Sequence, residues 1–196
     1  KLDMITAVSR YVQDEFQKFF GIKANIVTPG VTIIGLTEGK TYKGVRFGFI
    51  GSNSPVKNLD HLIDCLPYES KLYVWGEMKG EVKTRDNVFY MGSIHPNNLR
   101  EVFTKIDYLV IPSINESFSF VAREAIGAGV QVIMSSGLLA LHGIGAYSYH
   151  GIDLRSILSN IAEKYSNGVI VKCPLGNVKS IEDDIFDWVE IYKRLL

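Results

Sequence analysis

Short, almost uninterrupted apolar runs alternate along this chain with longer segments in which apolar and polar residues mix. Runs of this length and composition are typical of parallel strands that are buried on both faces. A shorter strand is predicted near the C-terminal end, at residues 168–171. The five stronger runs, each followed by a glycine, a proline or a serine, are residues 45–50, 72–75, 88–91, 108–111 and 130–134.

The mixed segments carry apolar residues at intervals of three and four positions, which predicts amphipathic helices. In the first of them, residues 57–66, the side chains of Leu59, Leu62, Ile63 and Leu66 share one helical face. The same spacing predicts further helices at residues 96–106, 119–128, 154–165 and 182–196. Strands that alternate with helices predict an α/β fold, namely a Rossmann-like, doubly wound parallel sheet flanked by helices.

The first 44 residues follow this alternation less closely. Residues 5–22 predict the end of a strand, a serine cap and a helix, and residues 24–31 predict a strand and a turn. Residues 35–43 are typical of a linker. We therefore divide the chain into a lead-in segment, residues 1–44, and a main domain, residues 45–196.

Composition and charge narrow the classes of function. Hydrophobic residues make up 46% of the chain, which excludes a disordered protein, and 21 basic residues balance 21 acidic ones. A broad nucleic-acid-binding surface normally carries a basic surplus, so we predict no nucleic-acid partner. Cys65 and Cys173 share no metal-binding spacing, and we expect both to be small buried apolar residues. No apolar run could cross a bilayer and no signal peptide is present, so we expect a cytoplasmic protein.

The most informative stretch follows the fourth strong strand, at residues 112–125. Glu116 is predicted in the loop after the strand, and Glu124 lies in the helix that follows. The helix N-terminus between them attracts anions through its free N–H groups and its dipole, so a diphosphate could bind there. Glu124 could then accept hydrogen bonds from sugar hydroxyls, and Glu116 could reach the group beyond the phosphates. Taken alone, two such residues are more often a loop carboxylate and a solvated helix residue.

Several motifs in order resemble the retaining glycosyltransferases of the GT-B fold, and family 4 in particular. The central one joins Pro112-Ser113 to Glu116-Ser-Phe and Glu124-Ala. The others are residues 49–51 with 55–60, 72–77, 87–94 and 104–113. Residues 5–9 and 27–31 resemble the segment that leaves the N-terminal domain of that family. The resemblance implies that this chain is one half of a GT-B fold, the nucleotide-sugar-binding half, with its acceptor-binding N-terminal domain missing.

The resemblance also assigns a role to each matching position. Glu116 would be the catalytic residue, in contact with the transferred sugar, and Glu124 would bind ribose hydroxyls. Gly51 would let a backbone approach the phosphates closely, and Lys57 would neutralise their charge. The backbone of Ile94 would contact the nucleobase. The phosphates themselves would bind in the loop formed by Ser117, Phe118, Ser119 and Phe120, where the last three supply backbone N–H groups.

The implied reaction is transfer of a sugar, with retention, from a nucleoside diphosphate sugar to a glycan, lipid or protein. Such an enzyme is of the hexosyltransferase type, the isolated domain would be inactive, and membrane contact would be left to the missing parts. No metal is required if Lys57 and the helix end stabilise the leaving diphosphate. We expect Asp183 and Asp184 to be helix N-terminal charges, not a metal site. The alternative is a catalytically inactive GT-B-like module that binds sugar nucleotides or a partner.

The chain departs from the family pattern at several positions. Ser52 stands where the family usually has an arginine after the first glycine, and Ser119 stands where the phosphate loop usually has a glycine. These changes leave Lys57 as the expected cation for the diphosphate. Arg46 and Arg123 are candidates for a second one.

These roles lead to a prediction for Glu124. Replacing it with alanine should weaken the binding of a nucleoside diphosphate sugar by about 1–3 kcal/mol, because charge-assisted hydrogen bonds to hydroxyls are lost. Calorimetric titration with UDP- and GDP-sugars measures the difference. An unchanged affinity would remove Glu124 from the site.

Overall fold

The computed structural model describes residues 4–32, 44–138, 147–149, 153–169 and 179–193. The predicted linker at residues 35–43, Cys173 and the second half of the strand predicted at residues 168–171 lie outside these ranges. In the described parts of the chain, no helix is both long and apolar enough to cross a membrane.

The lead-in segment contains the elements that its sequence predicts. Strand β1 (Thr6–Ala7) pairs in parallel with β2 (Asn25–Ile26), and helix α1 (Arg10–Phe20) connects them. Ser9 caps α1, since its hydroxyl accepts a hydrogen bond from the Val12 N–H. The helix ends at Gly21, whose left-handed backbone (φ 69°) is typical of a C-terminal cap.

The main domain is built on one parallel sheet of six strands, ordered β5-β4-β3-β6-β7-β8. The strands are β3 (Arg46–Ile50), β4 (Lys71–Trp75), β5 (Val88–Gly92), β6 (Tyr108–Ile111), β7 (Gln131–Ser135) and β8 (Tyr147–Tyr149). This confirms the predicted α/β fold and its five stronger strands, with ends shifted by one residue at most. The sequence did not predict β8, because three residues of alternating aromatic and polar character lack the apolar run of a buried strand.

The helices also agree with the prediction, apart from some of their ends. They are α2 (Leu59–Cys65), α3 (Leu99–Thr104), α4 (Phe120–Gly127), α5 (Leu154–Ser166) and α6 (Ile181–Lys193). The predicted start of α2 at Lys57 is wrong. Residues Pro55–Lys57 form a separate 3-10 turn, and Asn58 then adopts a left-handed backbone (φ 54°) that interrupts helical hydrogen bonding.

Apolar side chains cover both faces of the sheet. Alternate residues of β6 point to opposite sides: Tyr108 and Val110 belong to one buried cluster, and Leu109 and Ile111 to the other. The first cluster is completed mainly by α2 and α5, and the second by α3 and α4. Since each fully buried large apolar side chain contributes about 1.5–3 kcal/mol, the two layers hold the helices against the sheet.

The strand order reverses between β3 and β6. From β3, the next strands β4 and β5 are added on one side of the sheet. The chain then returns to the centre, and β6, β7 and β8 are added on the other side. In doubly wound sheets, ligands bind at this reversal, beyond the carboxyl ends of the two central strands. The loops that begin at Gly51 and at Pro112 occupy this place.

The backbone at this end of the sheet is tightly packed around Gly76. A Cβ atom on Gly76 would lie 2.0 Å from the carbonyl oxygen of Gly51, and its φ of 136° also disfavours a side chain.

Replacing Gly76 with alanine should therefore lower the free energy of unfolding by about 3 kcal/mol or more, measured by urea denaturation. Gly80→Ala is the matched control, because Gly80 is also left-handed (φ 70°) but has no atom within 4 Å of its added Cβ. That variant should lose only about 1–2 kcal/mol. Equal losses would contradict the steric explanation.

Candidate functional site

The loops after β3 and β6 are joined to each other. The Ile114 N–H donates to the Val56 carbonyl at 2.8 Å, and the Asn58 side-chain amide donates to the Pro112 carbonyl at 3.3 Å. These bonds connect residues more than 50 positions apart in the chain. The structure therefore brings the two predicted phosphate-binding segments together at the strand reversal.

An ion pair lies where the two loops meet. Lys57 Nζ is 2.6 Å from Glu116 Oε1, and the Ser113 hydroxyl donates to the same oxygen at 2.8 Å. The Glu116 side chain is only 9% exposed, whereas that of Lys57 is 33% exposed. Lys57 Cδ also lies 3.8 Å from the position that a Cβ on Gly51 would occupy. Of the residues predicted for the site, Lys57 thus pairs with Glu116 and also passes beside Gly51.

The N-terminus of α4 lies just beyond this ion pair along the chain. Its cap residue, Ser119, makes no side-chain hydrogen bond to the helix, and its first turn contains no acidic residue. The Ser119 hydroxyl is buried and has no hydrogen-bond partner in the described part of the chain. The first N–H groups of α4 consequently have no side-chain cap and are available to an anion.

Ser119 adopts a conformation that favours glycine. Its φ of 58° is positive, and Ser119 and Asn58 are the non-glycine residues of the described chain with this property. A left-handed backbone costs a residue with a side chain about 1–2 kcal/mol. This explains physically why a glycine would suit the position, and the structure accommodates a serine there.

Aromatic packing holds the middle of the loop. Phe118 is 3% exposed and meets Phe120 edge-on, with ring centroids 4.9 Å apart at 70°. The Arg123 guanidinium lies 4.2 Å from the Phe118 ring centroid, and burial lowers the pKa of this arginine. Phe120, in contrast, is 52% exposed at the start of α4. The Phe118 ring is therefore buried and anchors the loop, whereas the Phe120 ring is exposed to solvent.

The two candidate replacements for the missing arginine differ. Arg46 begins β3, at the opposite end of the sheet from Gly51, and its guanidinium forms two hydrogen bonds of 2.8 and 3.1 Å with the Asp107 carboxylate. It is therefore not a donor for a ligand near Gly51. Arg123 is on the correct helix but packs on Phe118.

Glu124 lies in the second turn of α4, one helical turn from Phe120 on the same face. Burial raises the pKa of its carboxyl group. Within the described residues, the Glu124 side chain has no hydrogen bond and no ion pair. A half-buried carboxylate without a partner is suited to accept hydrogen bonds from a ligand.

Ile94 is positioned by the end of β5. Gly92 has a left-handed backbone (φ 79°) that ends the strand, and the Ile94 side chain packs against the core cluster shared by α3 and α4. His95, the next residue, uses Nδ1 to accept from the Asn97 N–H at 3.3 Å. The Ile94 side chain is thus a core group, which leaves its backbone for the predicted contact with a base.

Sequence reasoning missed one residue of the site. Ser9, which it identified as the cap of α1, also donates from its hydroxyl to the Ser117 carbonyl at 2.7 Å. The two residues are 108 positions apart. The capping pattern revealed the serine, but no sequence signal pointed to its second partner.

Comparison with known proteins identifies the family. The model of the family described as "Glycosyl transferases group 1" matches residues 44–164, which is more than half of the chain. The chain belongs to the group 1 glycosyl transferases. An uncharacterized glycosyltransferase of Methanocaldococcus jannaschii is 28% identical over 164 residues, covering 74% of this chain and 42% of the relative. The chain therefore spans less than half the length of this curated relative.

Solved structures place the chain in the GT-B fold of these transferases. Sucrose-phosphate synthase from Thermosynechococcus elongatus superposes with a TM-score of 0.78 at 14% identity, over 100% of this chain and 59% of the synthase. The pneumococcal O-GlcNAc transferase GtfA, solved in complex with UDP and GlcNAc, gives a TM-score of 0.66 at 14% identity, over 98% of this chain and 45% of that one. Both likenesses are similarities of fold, and they confirm the predicted fold class.

In the described ranges of this group 1 transferase, no group of three or more His, Cys, Asp or Glu residues could hold a metal ion. Asp183 and Asp184 lie in the first turn of α6, as expected. Asp183 accepts from the Ser180 hydroxyl at 3.0 Å, and Asp184 pairs with Lys179 at 2.9 Å. The two carboxylates therefore cap the N-terminus of α6 and place negative charge there.

The raised pKa of Glu124 has a consequence for stability. Because the folded protein holds this proton more tightly than the unfolded chain, ionisation of Glu124 opposes folding above the unfolded pKa of about 4.3. Glu124→Gln should therefore raise the urea midpoint at pH 7, and the gain should shrink towards zero as the pH falls to about 4.

The control is Glu101→Gln on α3. Lys105 lowers the pKa of this exposed carboxyl group through a hydrogen bond and its charge, so the substitution should give no gain at pH 7. An unchanged urea midpoint at pH 7 for Glu124→Gln would contradict the expectation that burial of the Glu124 charge lowers the free energy of unfolding.

Proposed function

We propose that this chain is the donor-binding domain of a retaining glycosyltransferase that moves a hexose from a nucleoside diphosphate sugar to a glycan, lipid or protein. One observation carries the proposal. A partly exposed cation, a carboxylate and an uncapped helix N-terminus meet at the strand reversal of a doubly wound sheet, through Lys57, Glu116 and α4. The length of the relatives supports a further domain that binds the acceptor.

The site suits a diphosphate because positive charge and N–H donors converge there. Lys57 supplies the ammonium group, and the turn from Phe118 to Phe120 supplies backbone N–H groups and the positive end of the α4 dipole. GtfA, a protein of similar fold, was solved in complex with UDP and GlcNAc. This supports a nucleoside diphosphate as the ligand of the present chain.

In the proposed complex, Lys57 shifts from Glu116 towards the diphosphate. Its Nζ donates to Glu116 in the unliganded protein, and a diphosphate would compete with that carboxylate for the same ammonium group. The exchange would leave Glu116 held by the Ser113 hydroxyl and free to accept hydrogen bonds from the sugar. Charge on the leaving diphosphate grows as the glycosidic bond breaks, so Lys57 and the helix end would stabilise the transition state more than the ground state. In this proposal no metal ion is required.

Glu124 would bind the ribose of the donor. Its carboxylate is half-buried, and the raised pKa records the unfavourable desolvation of its charge. Two hydroxyl donors from a ribose would offset that loss, since charge-assisted hydrogen bonds are about twice as strong as neutral ones. A residue that destabilises the empty protein in this way would stabilise the complex.

Lys57 provides the direct test. Lys57→Met removes the ammonium group but keeps the length of the side chain, and it should weaken binding of UDP or GDP at least about tenfold, since a hydrogen bond to a charged group contributes about 1.5–3 kcal/mol. Isothermal titration calorimetry of the protein with each nucleotide measures the affinity.

Lys105→Met is the matched control. Lys105 pairs with Glu101 on the surface of α3, so its loss changes the net charge equally without touching the two loops. Its affinity should equal that of the wild type. No heat with either nucleotide at millimolar concentration, or the same affinity for Lys57→Met as for the wild type, would refute the proposed site.

A further inference from the structure

Ser9 occupies an unusual position between two parts of the protein. It is 6% exposed, and its hydroxyl makes two hydrogen bonds at once. The oxygen accepts from the Val12 N–H of α1 at 3.3 Å, and the O–H donates to the Ser117 carbonyl at 2.7 Å. A serine that only capped a helix would need the first bond alone.

The hydrogen bond from Ser9 to the Ser117 carbonyl is the main hydrogen-bond restraint on the backbone of residues 115–118. In the described chain, the peptide groups of residues 115–118 make no other hydrogen bond than the one to Ser9. The loop is otherwise held by side chains, through Ser113 with Glu116 and through the buried ring of Phe118. The direction of the Ser117 carbonyl is therefore determined by the lead-in segment.

Fixing that carbonyl also fixes the next N–H group. A trans peptide is planar, and its C=O and N–H point in opposite directions. Since the Ser117 carbonyl points at Ser9, the Phe118 N–H points away from the lead-in segment. Among the described residues this N–H has no protein acceptor. It is the first of the N–H groups proposed to hold the donor phosphates.

We infer that Ser9 is a positioning residue for donor binding, which orients the Phe118 N–H towards the phosphates through its hydrogen bond to the Ser117 carbonyl. The inference rests on the proposed function of the loop. Ser9 does not touch the donor. It links the conformation of the phosphate loop to the lead-in segment, so that a disturbance at the N-terminal end of α1 alters phosphate affinity.

The test compares the affinity of four variants and the wild type for UDP and GDP by calorimetry. Ser9→Ala removes both hydrogen bonds and should weaken nucleotide binding about tenfold, as expected when one orienting hydrogen bond is lost. Ser9→Gly, which is tolerated far better than alanine at a helix cap, should weaken it as much and serves if the alanine variant fails to fold. Ser9→Thr keeps the hydroxyl and should restore wild-type affinity.

Gly21→Ala is the matched control for damage to α1. Gly21 ends the helix with a left-handed backbone and open space around it, so the alanine destabilises α1 without approaching Ser117. Its nucleotide affinity should stay within about twofold of the wild type, which a merely structural role of Ser9 would not predict. Uridine and guanosine, which lack phosphates, should bind the Ser9 variants and the wild type equally.

The outcomes separate the two proposals. If the wild type binds a nucleotide and Ser9→Ala and Ser9→Gly bind it equally well, the positioning role is wrong and the donor site stands. Equal weakening by Gly21→Ala, or equal loss of nucleoside binding, also overturns the positioning role. If the wild type binds neither UDP nor GDP, the proposed function is refuted, and the role of Ser9 with it.

Discussion

The reversal of strand order between β3 and β6 is the constraint on which the rest of this domain depends. Helices bury both faces of the central strands, so a ligand can reach those strands at their ends. At the reversal, the two central loops leave in opposite directions, and hydrogen bonds from Ile114 to Val56 and from Asn58 to Pro112 join them. Lys57, Glu116 and the start of α4 lie together because those loops do.

The same region carries the strained and unfavourable features of the structure. Ser119 adopts a left-handed backbone, its hydroxyl is buried without a partner in the described chain, and the Glu124 carboxylate is half-buried. None of these features helps the empty protein to fold. Features of this kind are concentrated at functional sites, where a ligand supplies the missing interactions. The Lys57–Glu116 ion pair offsets part of this cost, since each charge neutralises the other.

The lead-in segment is hydrogen-bonded to the main domain and is not only a connection. Its small sheet and α1 place Ser9 against the loop after β6, while Lys179 donates to the Thr28 carbonyl and so ties the same segment to the start of α6. A boundary at residue 44 separates two regions of sequence pattern, but hydrogen bonds cross it at several points. The loop after β6 is thus bonded to the lead-in segment, which is itself bonded to the start of α6.

The sequence by itself determined the alternation of strands and helices, since the periods of two and 3.6 residues are local properties, and the order of motifs that identified the family. It also located Lys57, Glu116 and Glu124 correctly after strands and on a helix. Only the tertiary structure decided that Lys57 pairs with Glu116, that Arg46 is taken by Asp107, and that Ser9 holds Ser117. It also revealed β8 and the left-handed Asn58 that delays α2. The physical reason is distance along the chain: these partners are 59, 61 and 108 residues apart, and only the packing of the sheet brings them together.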